Sequence, residues 1–448
     1  MTDTPLIAPL YDALHDFAAQ KPLRLHMPGH KGIGLPVPEL KGYASIDFTE
    51  LEPTGNLYEA DGLIDRAEQL WADYWGASSC LFLTGGSTQG LHAALSLLCR
   101  SGGQILMDRV SHRSLHTGMA LLDLQPVWLP RPWLEQGGVN GPVEPEQVAA
   151  MLSAHPGCRA VCITSPTYYG VCSDVGAIAA VCHRFGARLL VDGAHGAHLP
   201  VFYRENPYGE ADLCVVSAHK TLPAPGQSAL LFASGFHMDD LRRASLLFAT
   251  SSPSYPMMAA LDRLRVWLAA GGEERTFLSA GAVLQLREKY PCLRETGCVL
   301  DPMRLTLLSE DGYALAADLQ ALGVWPEMAD RHHVVFIFTG ADGEEQFQRL
   351  DGVLMSLDLA YQTPFQPPRW EVPAWETVRS PREAVFAPAT ALPLCRAEGF
   401  VAAEQVAPYP PGVPVIAPGE RILKKHLDYL ARIGYNKLND PVLVVKEG

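Results

Sequence analysis

From about residue 78 the sequence alternates short, β-rich apolar runs with stretches of helical pattern, and this rhythm limits the fold more sharply than any other feature. The runs are SCLFLT, GQILMD, PVWLP, RAVCIT, RLLVD and DLCVVS, separated by stretches such as TQGLHAALSLLCR and DVGAIAAVCHRFG. Short runs this apolar read as buried strands, and strands spaced by helices predict an α/β chain with a mostly parallel sheet flanked by helices on both faces. In such sheets ligands collect at the carboxyl ends of the strands, so chemistry is expected in the polar residues that follow them.

The flanks differ. KPLRLHMPGHKGIGLP and IDFTELEPTGNLYEADGLI are rich in Gly and Pro and read as an ordered, largely non-repetitive arm. A long helix around PMMAALDRLRVWLAA leads to a second αβ segment from about residue 301, with a looser Pro-rich stretch at YQTPFQPPRWEVPAW. The expected organisation is an arm over 1–45, a major ligand-binding domain over 46–300 and a small α+β C-terminal domain over 301–448, which a chain of 448 residues accommodates.

Composition excludes several partners. A formal charge of −14 argues against nucleic acid, because neutralising phosphates needs clustered Lys and Arg. Ten cysteines fall mostly in apolar segments with no C-x-x-C pair, which predicts reduced core thiols rather than a zinc or redox clip. The N-terminus lacks a basic stretch followed by a long apolar one, and no apolar run approaches the roughly 20 residues of a membrane span, so a soluble cytoplasmic protein is expected.

Five strand ends carry unusual residues. LFLTGGSTQGLHAAL runs a strand through Gly85 and Gly86 into Ser87, Thr88 and a helix. That is a phosphate cradle of backbone, hydroxyls and helix N-terminus, or equally a plain glycine turn with a Ser/Thr cap. His112 follows the next strand and is spaced i,i+4 from His116; without a third ligand a surface pair outweighs a metal pair. SPTYY, from Ser165 to Tyr169, reads as a polar turn. Asp192 ends a buried strand, with His195 and His198 beyond, and no companion carboxylate or cysteine completes a metal set. Ser217, His219 and Lys220 end the last run, where a desolvated lysine suits imine chemistry and a snorkelling surface lysine is the commoner fate. Together, a phosphate cradle, an acid on one strand end and a lysine on a later one are what pyridoxal 5′-phosphate needs: an anchor, a partner for the ring nitrogen and an amine for the aldehyde. No metal is expected.

At this point the chain resembles the prokaryotic ornithine/lysine/arginine decarboxylases of fold type I. The resemblance rests on HMPGHKG, DFTEL, GGSTQG, SHRS, SPTYYGV, VDGAHGAH, SAHKTLPA, TSSPSYPMMAALD and PYPPGVPVIAPGE, in family order from residue 26 to residue 420. It implies Lys220 as the lysine that holds the cofactor, Asp192 as partner of the pyridine nitrogen, and His112 stacked on the ring with Ala194 on the opposite face. It implies Gly86, Ser87, Thr88, Ser217 and His219 around the phosphate. His195 would lie near the phenolic oxygen or the substrate carboxylate, and Thr250, Ser251 and Ser252 would reach the phosphate of a neighbouring subunit.

The implied reaction removes carbon dioxide from arginine, lysine or ornithine to give agmatine, cadaverine or putrescine, in a homodimer or higher homo-oligomer with shared active sites and no membrane partner. Glu404 is the candidate for the distal cation and His30 for the entrance. Two departures stand out: there is no N-terminal wing domain like that of the large acid-inducible enzymes, and Asn56 stands where the family's Asp is expected. An aminotransferase on the same fold, with Arg331 or Arg396 for the α-carboxylate, and a non-catalytic regulatory relic are the rival readings.

Overall fold

Strand Ser79–Leu83 is buried at every residue, and so are Leu213–Val216 and Ala229–Ala233. With both faces covered, none of the three needs an alternating pattern, which is why they read as continuous apolar runs. The computed structural model describes residues 6–59, 62–361, 365–369, 373–408 and 412–446. The chain divides into two compact units, Met1–Leu97 with Asp192–Phe277 and Thr339–Ala341, and Leu98–Val191 with Leu278–Phe338 and Asp342–Gly448.

In the first unit, Ala229–Ala233 lies between Ser79–Leu83 and Leu213–Val216 and runs antiparallel to both, pairing Phe82 with Leu230 and Leu231 with Val215. The other two strands therefore run parallel to each other and end on the same side. Helices Pro9–Ala19, Leu63–Trp75, Gly86–Leu98, Met238–Leu246 and Tyr255–Trp267 surround them. The first has no side-chain cap of its own; Asp262, on Tyr255–Trp267, accepts from Leu10 N at 2.8 Å and Tyr11 N at 3.1 Å instead. Burial pushes that carboxyl up to about 6, against the pull of those two N–H groups. The helix expected around 256–270 ends at Trp267, in a turn where Gly271 adopts φ +120°.

In the second unit the neighbouring strands are Arg188–Asp192, Ala160–Thr164, Gln104–Asp108 and Gln125–Leu129, with Gln104–Asp108 parallel to both of its neighbours. Helices Arg113–Leu122, Pro145–Ala154 and Val175–Arg184 supply the alternation seen in the sequence. Beyond residue 301 come an antiparallel sheet of Arg304–Leu308, His333–Ile337 and Met328–Ala329, and a two-stranded sheet of Ala389–Pro393 with Pro441–Val445. The latter closes on Ala402, Ile416, Ile422, Leu430 and Val444. Of the looser Pro-rich stretch, residues 362–364 and 370–372 lie outside the described residues. All ten cysteines are free thiols; seven are buried and Cys395 is exposed, so the expectation of core thiols does not extend to it.

Candidate active site

The glycine turn after Ser79–Leu83 is built by a close approach. A Cβ on Gly90 would lie 2.4 Å from Leu83 Cδ1 and 3.0 Å from Val215 Cγ1, so only glycine lets helix Gly86–Leu98 lie this near the strands. Gly86 takes φ +72°, and Ser87 and Thr88 follow in the first helical turn, where N–H groups have no intrahelical acceptor. Ser217 Oγ, at the end of the parallel strand Leu213–Val216, donates to Ser87 Oγ at 3.0 Å. Two of the three hydroxyls expected around one phosphate, those of Ser87 and Ser217, therefore meet.

Past Ser217 the chain makes one short helical turn, Ala218–Thr221. His219 Nδ1 donates to Ser228 O at 2.8 Å, which leaves Nε2 as its only ring nitrogen for a ligand. Lys220 is half-buried, and its Nζ lies 3.2 Å from Nε2 of the buried His195. The segment carrying His195 starts at Asp192, 2% exposed, whose Oδ1 accepts from Ala194 N, while Gly193 N donates to Val215 O at 2.9 Å. A single unit thus carries an amine, a buried carboxylate, and hydroxyls at a helix N-terminus. These match the aldehyde, ring nitrogen and phosphate of pyridoxal 5′-phosphate, so the donor set fits that cofactor.

In the second unit His112 is the N-cap of helix Arg113–Leu122, its Nδ1 accepting from Ser114 N at 3.3 Å and lying 2.9 Å from Ser114 Oγ. His116 turns inward and stacks on Trp128 at 5.2 Å; burial, with Arg109 nearby, drives its pKa down to about 3, so it is a neutral core imidazole. Among the described residues no group of three or more His, Cys, Asp or Glu could hold a metal ion.

Two adjacent residues of opposite charge fix the strand end before His112, and sequence reading missed both. Asp108 pairs with Arg131 and accepts from Val110 N and Thr164 N. Arg109 forks onto Glu420 at 2.7 and 3.1 Å and reaches Val415 O, its guanidinium 4.7 and 4.9 Å from the Trp128 and Trp375 ring centres. Arg113 N also donates to Gly412 O at 3.2 Å, tying YPPGVP to the same strand end. Tyr409, Pro410 and Pro411 of that motif lie outside the described residues.

The remaining candidates have contacts of their own. His30 has a partner at each ring nitrogen within the arm, Asp47 at 3.2 Å from Nε2 and Gly32 N at 3.1 Å from Nδ1. Glu404 Oε1 accepts from Leu443 N at 2.7 Å in the last strand. Asn56 closes an Asx turn with Tyr58 N and donates to Glu59, and Tyr58 OH donates to Thr250 O at 2.9 Å, so 55–58 and 250–252 are laid together. Arg331 lines a cavity with Tyr169, Tyr313, Asp330 and Tyr429, and Arg396 ends the short turn Leu394–Arg396. No helix among the described residues is long and apolar enough to cross a membrane.

This architecture is that of a fold type I enzyme: the solved Francisella novicida lysine decarboxylase LdcF superposes with a TM-score of 0.82 over 99% of this chain and 82% of its own, at 18% identity. The Orn/Lys/Arg decarboxylase major domain matches residues 8–290 and the C-terminal domain of the same family matches 371–437. The chain belongs to the Orn/Lys/Arg decarboxylase family. Among curated proteins it is 28% identical to the arginine decarboxylase of Bacillus subtilis, over 94% of this chain and 92% of that one. It is also 30% identical to the uncharacterized protein YaaO of the same organism, over 95% and 94%.

Proposed function

We propose that this chain decarboxylates a basic amino acid with pyridoxal 5′-phosphate, and that Lys220 is the residue that holds the cofactor. The observation that carries the reading is the grouping of Lys220, His195, Ser217 and Ser87 by two contacts of 3.2 and 3.0 Å, with Asp192 buried at the start of the same chain segment. When bound, the cofactor supplies a conjugated ring that accepts the electron pair released as the bond from Cα to the carboxylate breaks.

The residues divide the remaining work. Asp192, whose Oδ1 accepts from Ala194 N, would face the ring nitrogen and favour its protonated form. Gly86, Ser87, Thr88, Ser217 and His219 would hold the phosphate, and Ala194 and His112 would be the residues that pack against the ring. His195 shares a proton with Lys220 Nζ at 3.2 Å, and one of the two returns a proton to Cα after carbon dioxide leaves. Glu404 retains Oε2 for a distal amine or guanidinium, and His30 lines the entrance.

Arginine, named for the Bacillus subtilis relative, is the first substrate to try, with lysine and ornithine beside it; the products feed polyamine biosynthesis. The working assembly is a cytoplasmic homodimer or higher oligomer in which Thr250, Ser251 and Ser252 reach the neighbouring subunit's phosphate. Within each chain the arm is 1–45, the cofactor-binding domain 46–300 and the small domain 301–448. The test is carbon dioxide release against keto-acid formation from the three amino acids, in the parent and in Lys220→Ala. Keto acid without carbon dioxide, or full turnover in Lys220→Ala, would sink the reading.

A further inference from the structure

The best-anchored side chain beside the glycine turn is an amide that no step of the reaction uses. Gln89, the fourth residue of helix Gly86–Leu98, is 2% exposed; its Oε1 accepts from Gly85 N at 2.7 Å and its Nε2 donates to Ser245 Oγ at 2.7 Å. A Cβ on Gly85 would lie 2.6 Å from that Oε1, so the amide packs directly on the turn. Ser245 is fully buried on helix Met238–Leu246. One turn earlier on that helix, Arg242 bonds Glu68 at 2.9 Å, and Glu68 accepts from Phe82 N at 2.8 Å in the strand that enters the turn. One buried helix face therefore holds the strand at Phe82 and the turn at Gly85.

We infer that Gln89 is a positioning residue: bridging Gly85 N and Ser245 Oγ, it holds the glycine turn in the shape that grips the cofactor phosphate. The inference rests on the reading of this turn as the phosphate site. With the Gly85 N–H drawn back onto Gln89, the first-turn N–H groups and the Ser87 hydroxyl are left to face an anion. Removing the amide leaves a half-buried donor at Gly85 and a buried hydroxyl at Ser245 without this partner, and the turn relaxes to find water. Lys220, whose Nζ lies 3.2 Å from His195 Nε2, takes no part in this bridge. The loss should consequently fall on ligands that carry a phosphate and spare those that do not.

The full-length chain, freed of cofactor by dialysis, is reloaded with pyridoxal 5′-phosphate or with pyridoxal, which lacks the phosphate, and visible absorbance gives both dissociation constants. Gln89→Leu should weaken the phosphorylated ligand by about tenfold to a hundredfold and leave pyridoxal within about twofold. Ser245→Ala, which cuts the bridge at its far end, should act in the same direction more weakly, and the double variant should be no worse than Gln89→Leu alone. Equal weakening of both ligands, or no weakening of either, overturns the inference. Should Gln89→Leu not fold, Ser245→Ala decides: an unchanged preference for the phosphorylated ligand overturns it. Ser87→Ala with Ser217→Ala separates the two claims. If that pair keeps the preference, the phosphate reading of the turn fails and the inference with it; if the pair loses it while Gln89→Leu does not, the inference alone fails.

Discussion

Lys220 Nζ and His195 Nε2 stand 3.2 Å apart, two basic nitrogens close enough to share one proton. His195→Ala should therefore lower kcat by about a hundredfold, within the range of a lost general acid or base, while the protein keeps its cofactor absorbance. Steady-state kinetics beside a visible spectrum separate this from a cofactor-binding role, in which the absorbance would go as well.

Arg109 and Glu420 form a forked ion pair with side chains 3% and 1% exposed. Glu420→Gln leaves the guanidinium buried without a countercharge and should destabilise by about 3–5 kcal/mol, whereas replacing both partners by apolar residues of similar volume should recover most of that. Urea unfolding of the two variants and the parent checks the order; equal loss in both would contradict it.

His333 predicts how stability depends on pH. Its Nδ1 faces Asp330 at 2.9 Å and its Nε2 faces Gly137 O at 2.7 Å, an acceptor on each side. Burial opposes its charge, but the Asp330 carboxylate and these two bonds win and raise its pKa above the ordinary 6.5. A raised histidine pKa contributes stability that is fully present below 6.5 and fades as pH climbs through the folded value. Asp330 is held down at about 2 by the same partner, so its contribution is present above the ordinary 3.8 and is lost in acid as pH falls toward 2. The thermal midpoint of the parent should exceed that of His333→Gln most clearly between about pH 4 and 6.5 and converge with it in alkali. A gap that widens in alkali would reverse the assignment.

Gly90→Val should lift helix Gly86–Leu98 off Leu83 and Val215, at an overpacking cost of about 1–3 kcal/mol. Cofactor affinity should fall alongside the thermal midpoint, because the helix that moves carries Ser87. A variant with parental stability would mean that the helix has room to spare.

The sequence made some of this legible for a physical reason. Six strands could be read because burial on both faces demands runs such as SCLFL and LCVV, and Asp192, Ser87 and Lys220 stood out because a polar group ending such a run is costly unless it has a use. The seventh strand, Ala229–Ala233, is an equally plain apolar run, but its antiparallel place between two parallel strands depends on pairing that no local pattern encodes. Helix Pro9–Ala19 carries its own sequence signals, Pro9 at its first position and Leu10 with Leu14 on one buried face. Arg109 was out of reach: its partner Glu420 lies 311 residues away, and a lone arginine after a strand says nothing of where its carboxylate is. Gln89 sat inside a recognised motif, and only the fold brings Ser245 beside it.

The strand that leads to Ser87 and the one that leads to Lys220 both pair with Ala229–Ala233, a segment made after both. A ribosome has therefore released the glycine turn and threaded through well over a hundred further residues before the strand that pairs with both is complete. A nascent chain shorter than about residue 233 lacks the strand that sets both halves in register. A product cut short before residue 229 should therefore lack a fixed spacing between the glycine turn and the lysine, even where its helices have formed.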